Sequence, residues 1–244
     1  MKTLFVFAVC CVAAGNLVAQ DDYLELEKNT FRTLPYRLLR PEEEKLGQKY
    51  PLVLFLHGAG ERGTDNIINL RYITPLFMKA ESRTKYPCYL LIPQCPPNVW
   101  WSGKGRGDTS GGAVDEIMNL IDSLAATGKV DRERIYVTGL SMGGYATWYL
   151  LAKYPNKFAA AAPVCGGGDA GKASVIKNTP LWVFHGTVDK TVPVEESRKM
   201  VAAITQAGGK PKYSEYPGVG HNSWVNAYQE PEFLRWLFSH KLKL

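Results

Sequence analysis

The sequence predicts an α/β protein built on a mostly parallel sheet with helices on both faces. Short apolar runs recur along the chain, and stretches of helical period separate them. Strands buried on both faces read as continuous apolar runs rather than alternating ones, which is what these runs do. At 244 residues and 45% hydrophobic content the chain can bury a sizeable core and is too apolar for a disordered polymer. It contains no run of about 18 apolar residues, so an ordinary membrane span is not expected.

Residues 1–19 stand apart. Lys2 is their only charge, 4–14 is apolar, and Leu17-Val18-Ala19 ends on a small residue. That layout reads as a secretory signal peptide cleaved near Ala19, so export is expected, with 20–244 as a single domain. The residues before Cys10 and Cys11 do not form a lipoprotein signal, so no membrane anchor is expected.

The runs at 24–30 and 34–40 read as an opening antiparallel pair, followed by strands at 52–56, 89–93, 135–138, 159–164, 181–184 and 212–216. Helical patterns fall at 66–80, 112–127, 143–153, 195–207 and 231–241. Residues 94–110 form a long connection carrying Trp100 and Trp101, and loops of that length are usually functional or disordered. The tryptophans favour function. The short 170–179 connection leaves no room for a large cap domain.

Net charge is +6, but the basic residues are scattered rather than clustered on one element. Nucleic-acid binding is therefore not expected, and mild basicity reads as solvated surface. Of five cysteines, Cys88, Cys95 and Cys165 lie beyond the leader, too few for a disulfide scaffold. A strand between Cys88 and Cys95 spans about 23 Å at 3.3 Å per residue, beyond the roughly 7 Å Cα limit for a bridge. No cluster has metal-ligand spacing, and no cofactor is expected.

The strongest motif is Gly139-Leu140-Ser141-Met142-Gly143, set between a strand and a helix. A serine on so sharp a turn adopts a strained backbone, and side chains two positions either side would collide. The turn lifts the hydroxyl clear of the sheet and places it at a helix N-terminus. Ser141 is the candidate nucleophile. Of four histidines, His240 reads as a surface residue, and His57 and His185 as structural ones at strand ends. His221, in a glycine-rich loop after the last strand, is the candidate base. Asp189 follows the penultimate strand and is the candidate acid, with Asp169, one strand earlier, as its rival.

Residues 57–63 (His-Gly-Ala-Gly-Glu-Arg-Gly) also match the spacing of a dinucleotide fingerprint, with Glu81 further on. The glycines precede the expected helix rather than opening it, which disfavours that reading. An oxyanion loop accounts better for the presence of Ser141, Asp189 and His221 in that order.

With these motifs the chain resembles an α/β-hydrolase, and within that superfamily the compact secreted esterases grouped with polyhydroxybutyrate depolymerases, feruloyl and acetylxylan esterases and a "predicted peptidase" branch. The resemblance rests on 57–63, Pro93-Gln94-Cys95-Pro96 with Trp100-Trp101, 139–144, 185–193 and Gly220-His221. It implies an eight-stranded sheet and serine-hydrolase chemistry, with Ser141, Asp189 and His221 as triad and the Ala59 and Met142 amides as oxyanion donors. The expected substrate is a small or polysaccharide-linked ester, feruloyl or acetyl, with Trp101 and Trp224 walling an open site. The alternatives are a peptidase, amidase or polyester depolymerase using the same triad, or a non-catalytic binding module on the same fold.

Overall fold

The computed structural model describes residues 23, 25–103 and 112–242. The expected leader and part of the 94–110 connection lie outside them. Eight strands form one sheet: β1 (Leu26–Phe31), β2 (Leu34–Leu39), β3 (Tyr50–Leu56), β4 (Tyr89–Pro93), β5 (Val130–Leu140), β6 (Ala160–Val164), β7 (Trp182–Gly186) and β8 (Lys212–Tyr216). Their spatial order is β1-β2-β4-β3-β5-β6-β7-β8. The β1–β2 and β2–β4 pairings are antiparallel and all the others parallel.

The helices are α1 (Thr74–Phe77), α2 (Ala80–Lys85), α3 (Ala113–Ala126), α4 (Met142–Lys153), α5 (Ala173–Ile176), α6 (Glu195–Gln206), α7 (Trp224–Ala227) and α8 (Phe233–Phe238). Every residue of β3 is buried, and its side chains divide between two cores. Leu52, Leu54 and Leu56 join residues of α3, α4, α5 and α6, while Val53 and Phe55 join Phe77, Ala227 and Phe233 from α1, α7 and α8. Each such side chain contributes about 1.5–3 kcal/mol on burial. Alternation of side chains across the sheet thus makes one apolar strand the centre of both layers.

Four expectations need correction. The helical pattern over 66–80 breaks into a 3₁₀ turn at Ile68–Leu70, then α1, then α2. Pro75 in the first turn of α1 has no N–H and its ring would clash with a preceding helical carbonyl, so no helix runs through it. The strand expected at 135–138 begins at Val130, its first half hidden by the charged run Asp131-Arg132-Glu133-Arg134. The loop after His221 contains α7, and the helix expected over 231–241 shrinks to α8.

One boundary in the sheet is thin. β6 and β7 share a single ladder pair, Val164↔Phe184, with an isolated bridge at Ala161↔Leu181. By contrast β5–β6 and β7–β8 each pair along five positions.

Candidate active site

The turn between β5 and α4 holds Ser141 at φ 52°, ψ −113°, a conformation that costs a non-glycine residue of order 1–3 kcal/mol. Close packing enforces it. A Cβ on Gly139 would lie 2.4 Å from the Gly143 carbonyl oxygen, and one on Gly143 would lie 1.9 Å from that of Leu56. Glycine is therefore required at both ends of the turn. Ser141 donates its amide to Val164 O at 3.0 Å, tying the turn to β6.

The structure brings the three predicted side chains together. His221 Nε2 lies 2.9 Å from Ser141 Oγ, and His221 Nδ1 lies 2.7 Å from Asp189 Oδ2. The other carboxylate oxygen, Oδ1, accepts from the amides of Thr191 at 2.8 Å and Val192 at 2.9 Å. Burial pushes the Asp189 pKa up, but the bonds from His221 and these amides outweigh it and hold the carboxyl below its ordinary value. An ionised Asp189 keeps the proton of His221 on Nδ1, which leaves Nε2 free to accept from the serine hydroxyl. A Cβ on Gly186 would lie 2.3 Å from Val219 O, so glycine at the end of β7 lets the His221 loop close over Asp189. Asp169 is exposed, and among the described residues its carboxylate accepts from the Gly171 amide at 2.9 Å. It is a turn carboxylate.

Two residues read as structural in the sequence serve this site. His185 is fully buried and sits with Nε2 2.9 Å from Val192 O and 3.3 Å from Asp189 Oδ2. Its Nδ1 lies 2.7 Å from Ser197 Oγ. The imidazole, kept neutral by burial, thus carries its proton on Nε2 and braces the turn holding the acid. Its place at the end of β7, four residues before Asp189, was the available signal.

His57 braces the opposite loop. Its Nδ1–H donates to Gly58 O at 2.6 Å and its Nε2 accepts from the Cys95 amide at 2.9 Å, while burial pushes its pKa down to about 4. Gln94, also fully buried, donates to Glu61 O at 3.2 Å and Asp65 Oδ1 at 3.0 Å and accepts from the Asn66 amide at 2.6 Å. Ala59 opens a 3₁₀ turn and Met142 opens α4, so neither amide has an acceptor within its own helix. They remain the candidate oxyanion donors.

Trp101 is a correction. It was expected to wall the site, yet it is only 1% exposed and donates its indole N–H to His57 O at 3.0 Å. Its ring lies 4.8 Å from the imidazole. Buried in the core, it anchors the 57–63 loop and presents no face to a ligand. Trp224 is half-buried, its ring perpendicular to that of His221 at 5.3 Å. His240 is also half-buried, 4.9 Å from Trp236, rather than a surface residue.

Donor atoms of Cys165, Asp189 and His221 lie within 4.8 Å of one another. Burial pushes the Cys165 thiol up to about 12. Metal binding there needs a thiolate and competes with the Asp189–His221 bond, so the group reads as two triad members beside a neutral thiol. Cys88, Cys95 and Cys165 are free and buried.

A serine, carboxylate and imidazole in this chain order, above the C-terminal edge of a mostly parallel sheet, place the chain among the serine hydrolases of the α/β-hydrolase superfamily. More closely, it belongs to the prolyl oligopeptidase family, whose model matches residues 99–174 and 169–240. It is 30% identical over 198 residues to a probable carboxylesterase (SOBER1-like) of Arabidopsis thaliana, covering 70% of this chain and 72% of that one. An uncharacterised secreted protein of Arthroderma benhamiae is 26% identical across 86% of this chain, which spans 26% of that protein's length. Among solved structures, a thermostable esterase superposes with a TM-score of 0.84 at 40% identity, over 89% of this chain and 63% of the other. No helix among the described residues is long and apolar enough to cross a membrane.

Proposed function

We propose that the protein is a secreted serine carboxylesterase acting through an acyl-enzyme, with Ser141 as nucleophile, His221 as base and Asp189 as its orienting acid. One observation carries this reading: the continuous hydrogen-bond chain of 2.7 and 2.9 Å from Asp189 through His221 to Ser141. His221 Nε2 takes the hydroxyl proton as Ser141 Oγ bonds to the ester carbonyl carbon. The Ala59 and Met142 amides meet the negative oxygen. Collapse breaks the carbon–alkoxy bond, and His221 returns the proton to the departing alcohol. Water then repeats the sequence, freeing the acid and restoring Ser141.

The esterase likenesses favour an ester over an amide, and feruloyl or acetyl groups on plant-wall polysaccharide are the proposed substrates. Export is proposed from the pattern over 1–19 and supported by the secreted relative. Ser141→Ala should fold normally and lose on the order of 10⁶ in kcat. Matched acetyl, butyryl and feruloyl esters and amides, assayed side by side, test the chemistry. Faster turnover of the amides would make the protein a peptidase, and more than a few per cent of activity left in Ser141→Ala would remove that residue from the mechanism.

A further inference from the structure

From His221 there extends a row of side chains that the Ser141–His221–Asp189 chain does not use. Its ring meets Trp224 at 5.3 Å and 88°, Trp224 packs tilted on Tyr72 at 5.3 Å, and the guanidinium of Arg71 lies 5.5 Å from the Tyr72 ring centre. Tyr72 and Trp224 are half-buried and Arg71 is exposed, so the row is accessible from solvent. The two segments that meet at the Tyr72–Trp224 contact also carry Ile68, 39% exposed, and Val225, 45% exposed.

Chemistry says which half of the substrate such a row meets. In the proposed mechanism His221 Nε2 hands its proton to the departing alkoxy oxygen, so the alcohol half of the ester lies against the imidazole. The acyl half stays on Ser141 and between the two amides. A surface that begins at His221 and runs outward is therefore placed for the alcohol.

We infer that Tyr72 and Trp224, with Arg71 at the outer end, form the subsite for the alcohol half of the ester, and that this alcohol is a sugar. A pyranose offers a flat face of C–H groups to aromatic rings and hydroxyl oxygens to a guanidinium. The inference rests on the proposed triad and adds to it that specificity acts in one half-reaction. After the alcohol has left, the row holds nothing, and attack by water proceeds as before.

Tyr72→Ala tests this, using an acetylated pyranoside and ethyl acetate, which give the same acetyl-enzyme. The kcat/KM for the pyranoside should fall about tenfold and that for ethyl acetate by less than about twofold. The rate at which acetyl is lost from Ser141, followed by mass spectrometry, should not change. Equal falls for both esters, or slower loss of acetyl, would mean that Tyr72 merely props up His221 and would overturn the inference. So would an unchanged kcat/KM for both. Failure of the triad itself is distinct, because then no acetyl appears on Ser141 in the unaltered protein.

Discussion

Asp189 is the side chain on which most of the site's bonds converge: one from His221, two from backbone amides and a longer approach from His185. Its carboxyl is held below the ordinary value of 3.8, so its interactions stabilise the fold in full above that value and are lost as pH falls through the lowered one. The melting temperature of the wild type relative to Asp189→Asn should therefore hold steady from neutral pH to about 5 and fall below about 4. A difference that persisted unchanged below about pH 4 would show that the ionised Asp189 carboxylate adds nothing to the stability of the fold. The same substitution should cost about 10⁴ in kcat by favouring the wrong imidazole tautomer, whereas Asp169→Asn should cost little. Ser141, Asp189 and His221 were legible in the sequence because the chemistry prescribes residue types, an order and positions at strand ends. The roles of His185 and Gln94 were not, because their partners are brought to them only by the folded chain.

At the scale of elements, the 57–63 loop depends on the segment after β4. Cys95 binds His57 and Gly63, Gln94 binds Glu61, and Trp101 binds His57. Losing a buried tryptophan costs about 3–5 kcal/mol, so Trp101→Ala should lower the melting temperature by on the order of 10 °C. Activity on acetyl and feruloyl esters should fall in parallel, since the loop and not an acyl pocket is disturbed. A selective loss of feruloyl activity with an unchanged melting temperature would restore Trp101 to the substrate. The adjacent tryptophans marked an important loop, but their depth could not be read from it, because exposure is decided by what packs above. β3, β4, β6 and β7 were legible because central parallel strands are apolar on both faces, whereas the charged first half of β5 was not. The 66–80 pattern misled because Ile67, Leu70, Ile73 and Phe77 keep a helical spacing while Pro75 forbids a continuous helix.

For the molecule as a whole, the site straddles the thin β6–β7 boundary. Ser141 and the two candidate amides rise from the β3–β5 side, where β5 and β6 pair along five positions; Asp189 and His221 rise from the β7–β8 side, equally well paired. Across the line only Val164↔Phe184 belongs to a regular ladder. In rising urea, esterase activity should therefore disappear before the far-ultraviolet circular dichroism of the sheet, and coincident transitions would show the boundary to be as firm as the rest. The 2.9 Å between His221 and Ser141 is in this sense a gauge mounted across that boundary. A shift of about 1 Å in reacting groups can cost on the order of 10²-fold in rate, so two well-knit slabs need only ease apart by that much for catalysis to stop while both remain folded.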